Sequence, residues 1–459
     1  MKRKLKILLP LVVVVILAFP LLNLVVAPDN AAALPRHAVD LPGWNTVAPV
    51  FTEKCVHCHV PGAKLPFYAS FPVAHGMMQK DVAAGLTMLD MTDEFYRKGA
   101  APLSEAALAK TEFSVASGEM PPGLYLLMHW NHRLGKDDKE HILAWVRESR
   151  RRFFAGEKVA ASHADSMLQP LPEKVAADPA KVALGDRLFH DKRLSGDDSV
   201  SCASCHGLDK GGTDRLQFSR GIKGQVGGIN SPTVFNAGLQ YKQFWDGRAA
   251  DLFEQADGPV NNPIEMGSNW KAAVAKLSGD PELVTAFTAV YPQGLSGERI
   301  RDAIAAFEST LVTPSRFDRY LRGEDGALKP EEKKGLALFQ SKGCAMCHVG
   351  KVLGGQSFEK IGLRKDYFAT RGGAQTEGDR GRFNVTKRDL DHHKFKVPML
   401  RNVAVTQPYF HDGTVKTLPE AVKLMGGHQL EDGLTADEVK SLVAFLVSLT
   451  GEFRGKLLQ

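Results

Sequence analysis

Three copies of Cys-x-x-Cys-His constrain this chain more than any other feature: Cys55/Cys58/His59, Cys202/Cys205/His206 and Cys344/Cys347/His348. Together they use all six cysteines, and none is left over. Two thiols three residues apart reach the two vinyl groups of one haem as thioethers. The histidine that follows is then held beneath the iron. Zinc sites need cysteine pairs near one another, whereas these pairs lie about 145 residues apart. A disulfide within each pair leaves the three histidines unexplained. The motifs therefore predict three haem c groups, with His59, His206 and His348 as proximal iron ligands.

The rest of the chain has ordinary globular composition, 44% hydrophobic and 24% charged, which excludes a wholly disordered chain. A net charge of +6, from 58 basic and 52 acidic residues, is too small an excess to point to nucleic acid. Residues 1–6 carry four basic side chains, and residues 7–27 then run without a charge. That stretch exceeds the apolar core of a secretory signal, about 7–15 residues, and matches the roughly 20 of a membrane span. It predicts a single N-terminal transmembrane helix in a bacterial inner membrane. The basic end would lie in the cytoplasm and the catalytic domains in the periplasm. The small residues at 31–33 leave cleavage of this segment open.

The expected fold class is mainly α: three c-type cytochrome domains with long loops, after the transmembrane helix. The divisions are 1–27 (anchor), 28–40 (linker), 41–160, 161–318 and 319–459. Residues 136–152 carry an apolar stripe through Ile142, Leu143, Trp145 and Val146, which predicts a helix closing the first haem unit. Asp178-Pro179 reads as an N-cap with proline at the first helical position. Helices are also expected over 299–311 and 330–339. Thr435 and Glu438 form a capping box for the last one, within 435–449. A weak repeat links Leu184-Gly185 and Leu188-Phe189 before the second motif to Gly335-Leu336 and Leu338-Phe339 before the third. The first unit lacks this lead-in.

The segment from Leu184 through Ser195, the Ser201–His206 motif, Gln243-Phe-Trp-Asp-Gly-Arg248, Leu400-Arg-Asn402 and Thr406-Gln-Pro-Tyr-Phe-His-Asp-Gly413 together resemble the bacterial di-haem cytochrome c peroxidases. The resemblance covers about 176–451, in the right order. The N-terminal part looks like an extra haem domain, so the whole arrangement resembles the membrane-anchored three-haem peroxidases, some of which take electrons from quinol.

The resemblance implies roles. Glu265 corresponds to the catalytic carboxylate above the second haem and Gln255 to its partner amide. A carboxylate there can move a proton between peroxide oxygens, and an amide can orient the peroxide. Relatives carry an iron-capping histidine where this chain has Ile222. That departure implies an open second haem needing little reductive activation, with the exposed His190 as the nearest alternative cap. Met425 corresponds to the sixth ligand of the third haem. A tyrosine there would mark the related maturase of a tryptophan-derived quinone. Trp245 corresponds to the tryptophan between the two haems and implies an electron-transfer or packing role. The Asn230 side chain and the carbonyls of Thr406 and Pro408 correspond to calcium ligands. His411, close by, is expected to hydrogen-bond.

For the first haem, Met120 in Gly-x-Met-Pro-Pro is the expected sixth ligand, with Met77, Met78, Met88, Met91 and Met128 as rivals. His57 is expected to be exposed, and His392 and His393 to lie in a solvated loop. The leading expectation is a periplasm-facing peroxidase that reduces hydrogen peroxide with electrons from quinol or a small redox protein such as cytochrome c. The resemblance also allows a homodimer. The alternatives are a di-haem maturase acting on a protein substrate and a multihaem electron carrier.

Overall fold

The computed structural model describes residues 21–23, 25–26, 28–34, 41–96 and 103–459. Two compact units divide it, Met1–Phe154 and Ala155–Gln459. The first contains one Cys-x-x-Cys-His motif and the second contains two.

In the first unit, helices α1 (Trp44–Lys54), α2 (Pro72–Met88), α3 (Glu105–Ser117) and α4 (Lys136–Phe153) surround the attachment turn. The stripe expected on α4 is buried at Ile142, Trp145 and Val146. Trp145 closes an aromatic core with Trp44, Phe51 and Phe95, at ring separations of 5.4, 5.5 and 5.6 Å. Such tilted and edge-to-face pairs add to the large area these rings bury.

In the second unit, α5 (Pro179–Phe189) begins as expected: the Asp178 carboxylate accepts from the backbone N–H of Ala180 at 2.9 Å. The short α6 (Leu252–Gln255) follows, then α7 (Gly297–Ser309). Beyond them lie α8 (Pro330–Ser341), α9 (Leu418–Gln429) and α10 (Ala436–Val447). The capping box on α10 is formed, with the Thr435 N–H donating to Glu438 at 2.8 Å. Strands are minor. β1 (Phe358–Lys360) pairs antiparallel with β2 (Lys394–Lys396), Glu359 opposite Phe395.

The weak sequence repeat is a structural one. Helix α5 packs on α7 through Gly185, where a Cβ would stand 2.0 Å from the Ala303 carbonyl oxygen. Helix α8 packs on α10 through Gly335, where a Cβ would stand 2.0 Å from the Ser441 carbonyl oxygen. After each first helix comes a buried asparagine in the left-handed region, Asn236 and Asn402, at φ 61° and 65°. Both donate their side-chain N–H to Thr313 Oγ1 at 2.9 Å. A matched turn comes next in each half: Gln243 N–H donates to Ala249 O at 2.9 Å, and Tyr409 N–H to Val415 O at 2.8 Å. Within these turns Phe244 and Phe410 both have φ 67°. Trp245 and His411 therefore occupy equivalent places.

One buried ion pair ties this unit together. Arg401 and Asp318 are fully buried and bidentate, at 2.9 Å on both oxygens. The guanidinium also donates to the carbonyls of Lys351 and Gln169 and to Ser315 Oγ.

Two expectations are corrected. Among the described residues, no helix is long and apolar enough to cross a membrane. The transmembrane helix over 1–27, and the inner-membrane anchorage built on it, are therefore not supported. Residues 1–20, 24 and 27 lie outside the described residues, as do 35–40 of the linker. His57, expected to be exposed, is buried at 6% exposure, because Tyr125 and two further histidines close over it.

Truncating one partner of a buried ion pair leaves the other charge without compensation. Arg401→Leu should therefore cost about 3–5 kcal/mol of unfolding free energy, read as a lower denaturant midpoint. An unchanged midpoint would show that the pair contributes nothing to stability.

Candidate functional site

The three attachment motifs share one hydrogen-bond pattern. In each, the histidine N–H donates to the carbonyl of the first cysteine: His59 to Cys55 at 3.1 Å, His206 to Cys202 at 2.9 Å, His348 to Cys344 at 3.0 Å. One helical turn thus puts both sulfurs of a pair on the same side. The third turn is wound more tightly than the second. Cys202–Cys205 is a full α-helical turn, whereas the 3₁₀ turn Cys344–Met346 stops one residue short of Cys347. The Cys347 N–H donates to the Cys344 carbonyl at 3.4 Å, so the pair stays together even though Cys347 lies just outside the turn. Cys347 is half-buried like the other five cysteines, and all six are thiols rather than disulfides.

Each imidazole is oriented by its Nδ1–H, which donates to a backbone carbonyl: Leu89 at 2.9 Å, Gly212 at 3.4 Å and Leu353 at 3.3 Å. That bond fixes the tautomer and leaves the Nε2 lone pair free to bind a metal. Burial lowers the proton affinity of all three rings, that of His348 to a pKa of about 4. They are neutral at pH 7, the form that ligates iron. Paired thiols and an oriented neutral imidazole fit a covalently held haem at each turn.

Around the second turn, Glu265 is half-buried in the 262–267 loop. Asn262 Nδ2 donates to its Oε1 at 2.7 Å, while Asn262 Oδ1 accepts from the N–H of Ile264 at 3.1 Å. The second bond fixes the amide orientation and so the first. Burial raises the Glu265 carboxyl above its ordinary range, against the positive charge of Arg248 and the Asn262 bond. Its charge adds to the raised proton affinity of the Cys205 thiol, after burial and Asp214. Arg248 lies over the Phe244 ring at 3.5 Å and pairs with Asp246 at 3.1 Å. Ile222 is buried and its N–H donates to the Glu265 carbonyl at 2.8 Å. Gln255 ends α6, half-buried, and among the described residues no side chain holds its amide. His190 is exposed, its Nδ1–H donating to the Asp186 carbonyl at 2.8 Å.

Trp245 stands between the two repeats. Its Nε1–H donates to the Asn230 carbonyl at 2.8 Å. Its ring meets His411 edge to face at 6.3 Å and joins an apolar cluster with Phe395, Tyr367 and Leu424. Leu424 immediately precedes Met425, which is half-buried on α9 and outside the described apolar clusters. In the first unit, Met91 is core and Met78 packs against Tyr125, whereas Met120 belongs to neither cluster.

Asn230 donates through Nδ2 to the carbonyls of Leu216 and Gln217, at 2.9 and 3.2 Å, which leaves Oδ1 for another partner. Its backbone N–H donates to His411 O at 2.8 Å and so joins the 406–413 turn. Among the described residues, no hydrogen bond reaches the carbonyls of Thr406 or Pro408. Nearby, Asp379, His411 and Asp412 bring ligand atoms within 4.8 Å of one another. Arg371 already supplies the cation there, at 2.8 Å from Asp379 and 3.0 Å from Asp412, and His411 Nε2 lies 2.8 Å from Asp379.

Sequence reasoning missed Asn262, Arg248 and His428. Arg248 closes the quoted Phe-Trp-Asp-Gly-Arg motif, and Asn262-Pro263 is a turn signal. His428, buried on α9, donates Nδ1–H to the Leu424 carbonyl at 2.9 Å, and its Nε2 has no partner among the described residues. No sequence signal marked it.

Residues 179–326 match the model of the di-haem cytochrome c peroxidase family, and residues 18–148 match a haem-binding domain. The cytochrome c peroxidase Ccp of Escherichia coli (strain K12) is 46% identical over 415 residues, 89% of this chain and 88% of that protein. The cytochrome c551 peroxidase of Nitrosomonas europaea is 44% identical over 301 residues, 65% of this chain and 88% of that protein. Among solved structures, a MauG-like protein associated with microbial copper homeostasis matches with a TM-score of 0.56 at 30% identity, covering 61% of this chain and 95% of that one. This chain belongs to the di-haem cytochrome c peroxidase family and is a peroxidase.

Proposed function

We propose that the chain is a three-haem peroxidase that reduces hydrogen peroxide to water, with one haem c at each attachment turn. The observation that carries this reading is the Glu265 carboxyl, held by Asn262 beside the Cys205 turn with a raised proton affinity. When bound, the second haem supplies the iron at which peroxide is reduced. Glu265 takes a proton from one peroxide oxygen and returns it to the other as water departs, acting as base and then acid. Asn262 occupies one carboxylate oxygen and leaves the other for peroxide. The free amide of Gln255 donates to the substrate oxygen and stabilises the charge that develops. Ile222 has no ligating atom and puts an aliphatic chain where a capping histidine would stand.

Cys55, Cys58, His59 and Met120 would hold the first haem, and Cys344, Cys347, His348 and Met425 the third; these two would supply electron storage and transfer. Trp245 would pack on the path between the third and second haems. Asn230 Oδ1 and the carbonyls of Thr406 and Pro408 would hold a calcium ion, which would brace the turn that carries His411. The donor is a quinol or a small redox protein such as cytochrome c, and the free side of Asn230 and the unused carbonyls support the calcium reading.

Glu265→Gln should reduce peroxide turnover by about 10²–10⁴-fold and leave the haem absorption spectrum intact. Turnover equal to the parent would reject Glu265 as the proton carrier. The pH profile gives a separate check. The base form of Glu265 is lost as pH falls through its pKa, and Arg248 holds that pKa down. Arg248→Gln should therefore move the acid limb of the turnover profile to higher pH; a limb that stays in place would dissociate Arg248 from Glu265. Because of Ile222, the fully oxidised enzyme should react with peroxide at once. A lag abolished by pre-reduction would show that another group caps the iron.

A further inference from the structure

One histidine outside the three attachment motifs is prepared like an iron ligand. His428 is buried, at 6% exposure, in the last turn of α9. Its Nδ1–H donates to the Leu424 carbonyl at 2.9 Å. A carbonyl only accepts, so the neutral ring carries its lone pair on Nε2. His59, His206 and His348 share this arrangement, each with Nδ1–H on a backbone carbonyl. In all four rings a local hydrogen bond selects the tautomer that can bind a metal. The Nε2 of His428 is enclosed and has no hydrogen-bond partner among the described residues. A buried polar atom left unpaired costs stability and calls for a reason.

The place of His428 on α9 supplies that reason. With about 3.6 residues per turn, it projects from the helix between Leu424 and Met425. Residues three apart on a helix are neighbours, and helical side chains lean toward the N-terminus. The imidazole therefore lies over the turn that carries Met425, and the bond to the Leu424 carbonyl holds it there. On its other side the ring meets Tyr367 edge to face at 5.8 Å. The Tyr367 hydroxyl is already committed to Asp412 at 2.8 Å. Gly426 and Gly427 separate Met425 from His428. Glycines loosen a helix, and no atom lies within 4 Å of where a Cβ on Gly427 would stand. This last turn has room to rewind.

We propose that His428 is a reserve axial ligand for the haem joined to Cys344 and Cys347, its Nε2 replacing the Met425 sulfur when that thioether is lost. The proposal rests on the reading that Met425 is the sixth ligand there. The enzyme's own substrate supplies a way to lose it. Hydrogen peroxide oxidises a thioether by two electrons: the O–O bond breaks, one oxygen forms an S–O bond, and the other leaves as water. The sulfoxide is polar and no longer a soft sulfur donor. The Nε2 lone pair of His428 then forms the bond to iron, with no proton to release. Methionine is the ligand that raises the potential, so an imidazole in its place lowers it. The iron stays closed to peroxide, and its reduction needs a stronger donor.

The test is spectroscopic and uses the oxidised holoenzyme. Near-infrared magnetic circular dichroism separates histidine–methionine from bis-histidine iron, and electron paramagnetic resonance reads high-spin iron. Met425→Leu should trade part of the histidine–methionine band for a bis-histidine band, with no gain in high-spin iron. Adding His428→Gln should remove the bis-histidine band and raise the high-spin signal, at the haem content of the parent. His428→Gln alone should leave the parent spectrum unchanged. A gain of high-spin iron in Met425→Leu, or a bis-histidine band that survives His428→Gln, would overturn the proposal. A Met425→Leu spectrum identical to the parent would instead reject Met425 as the ligand, and the reserve role with it. A second measurement needs no variant. Parent enzyme exposed to excess hydrogen peroxide, then freed of it, should gain the bis-histidine band in proportion to the oxygen that peptide mass finds added at Met425. Oxygen at Met425 with high-spin iron and no bis-histidine band would also overturn the proposal.

Discussion

Two helix crossings without side chains between them set the frame of the second unit. At Gly185 and again at Gly335, one helix lies so close to the backbone of its partner that a single methyl group would stand 2.0 Å from a carbonyl oxygen. No rotamer change relieves a clash with backbone, so the spacing of α5 on α7 and of α8 on α10 is fixed by glycine. The attachment turn, the left-handed asparagine and the Phe-x-Asp-Gly turn that come after each first helix are set in place with it. The two asparagines share one acceptor, Thr313 Oγ1, so the halves are coupled as well as alike. The Arg401–Asp318 pair adds a link between the chain at 169, at 315–318, at 351 and at 401.

Alike in backbone, the halves diverge in chemistry by side-chain substitution. The equivalent turns carry Trp245 in one and His411 in the other. The indole has one donor, which goes to a backbone carbonyl, and its ring is left to pack among apolar groups. The imidazole is held by a buried carboxylate whose charge Arg371 balances. A repeated scaffold supplies two attachment turns, and the side chains at equivalent places around them differ.

The first unit solves a different problem with the same attachment turn. Its buried histidines are held neutral, including His57 and His132, with pKa values of about 4 and about 3.

The sequence by itself determined the local chemistry. Three Cys-x-x-Cys-His motifs dictate three like turns, because a cysteine pair one helical turn apart and the next histidine are a local pattern. The tighter winding before Cys347 was not legible there, since the spacing is the same in all three. Caps at Asp178 and Thr435 and the stripe on α4 could be read because each depends on residues within four positions. The repeat was visible at Gly185 and Gly335 but looked weak, because its partners, Ala303 and Ser441, lie over a hundred residues away. The apolar run at 7–27 read as a span by length alone, and no described helix supports it. His57 read as exposed because nothing near it in sequence covers it; Tyr125 and His132 do so from some 70 residues on. Which asparagine orients Glu265 and which carbonyl fixes each histidine tautomer were settled only by tertiary structure. Hydrogen bonds between distant segments depend on how helices pack, and no local pattern encodes that.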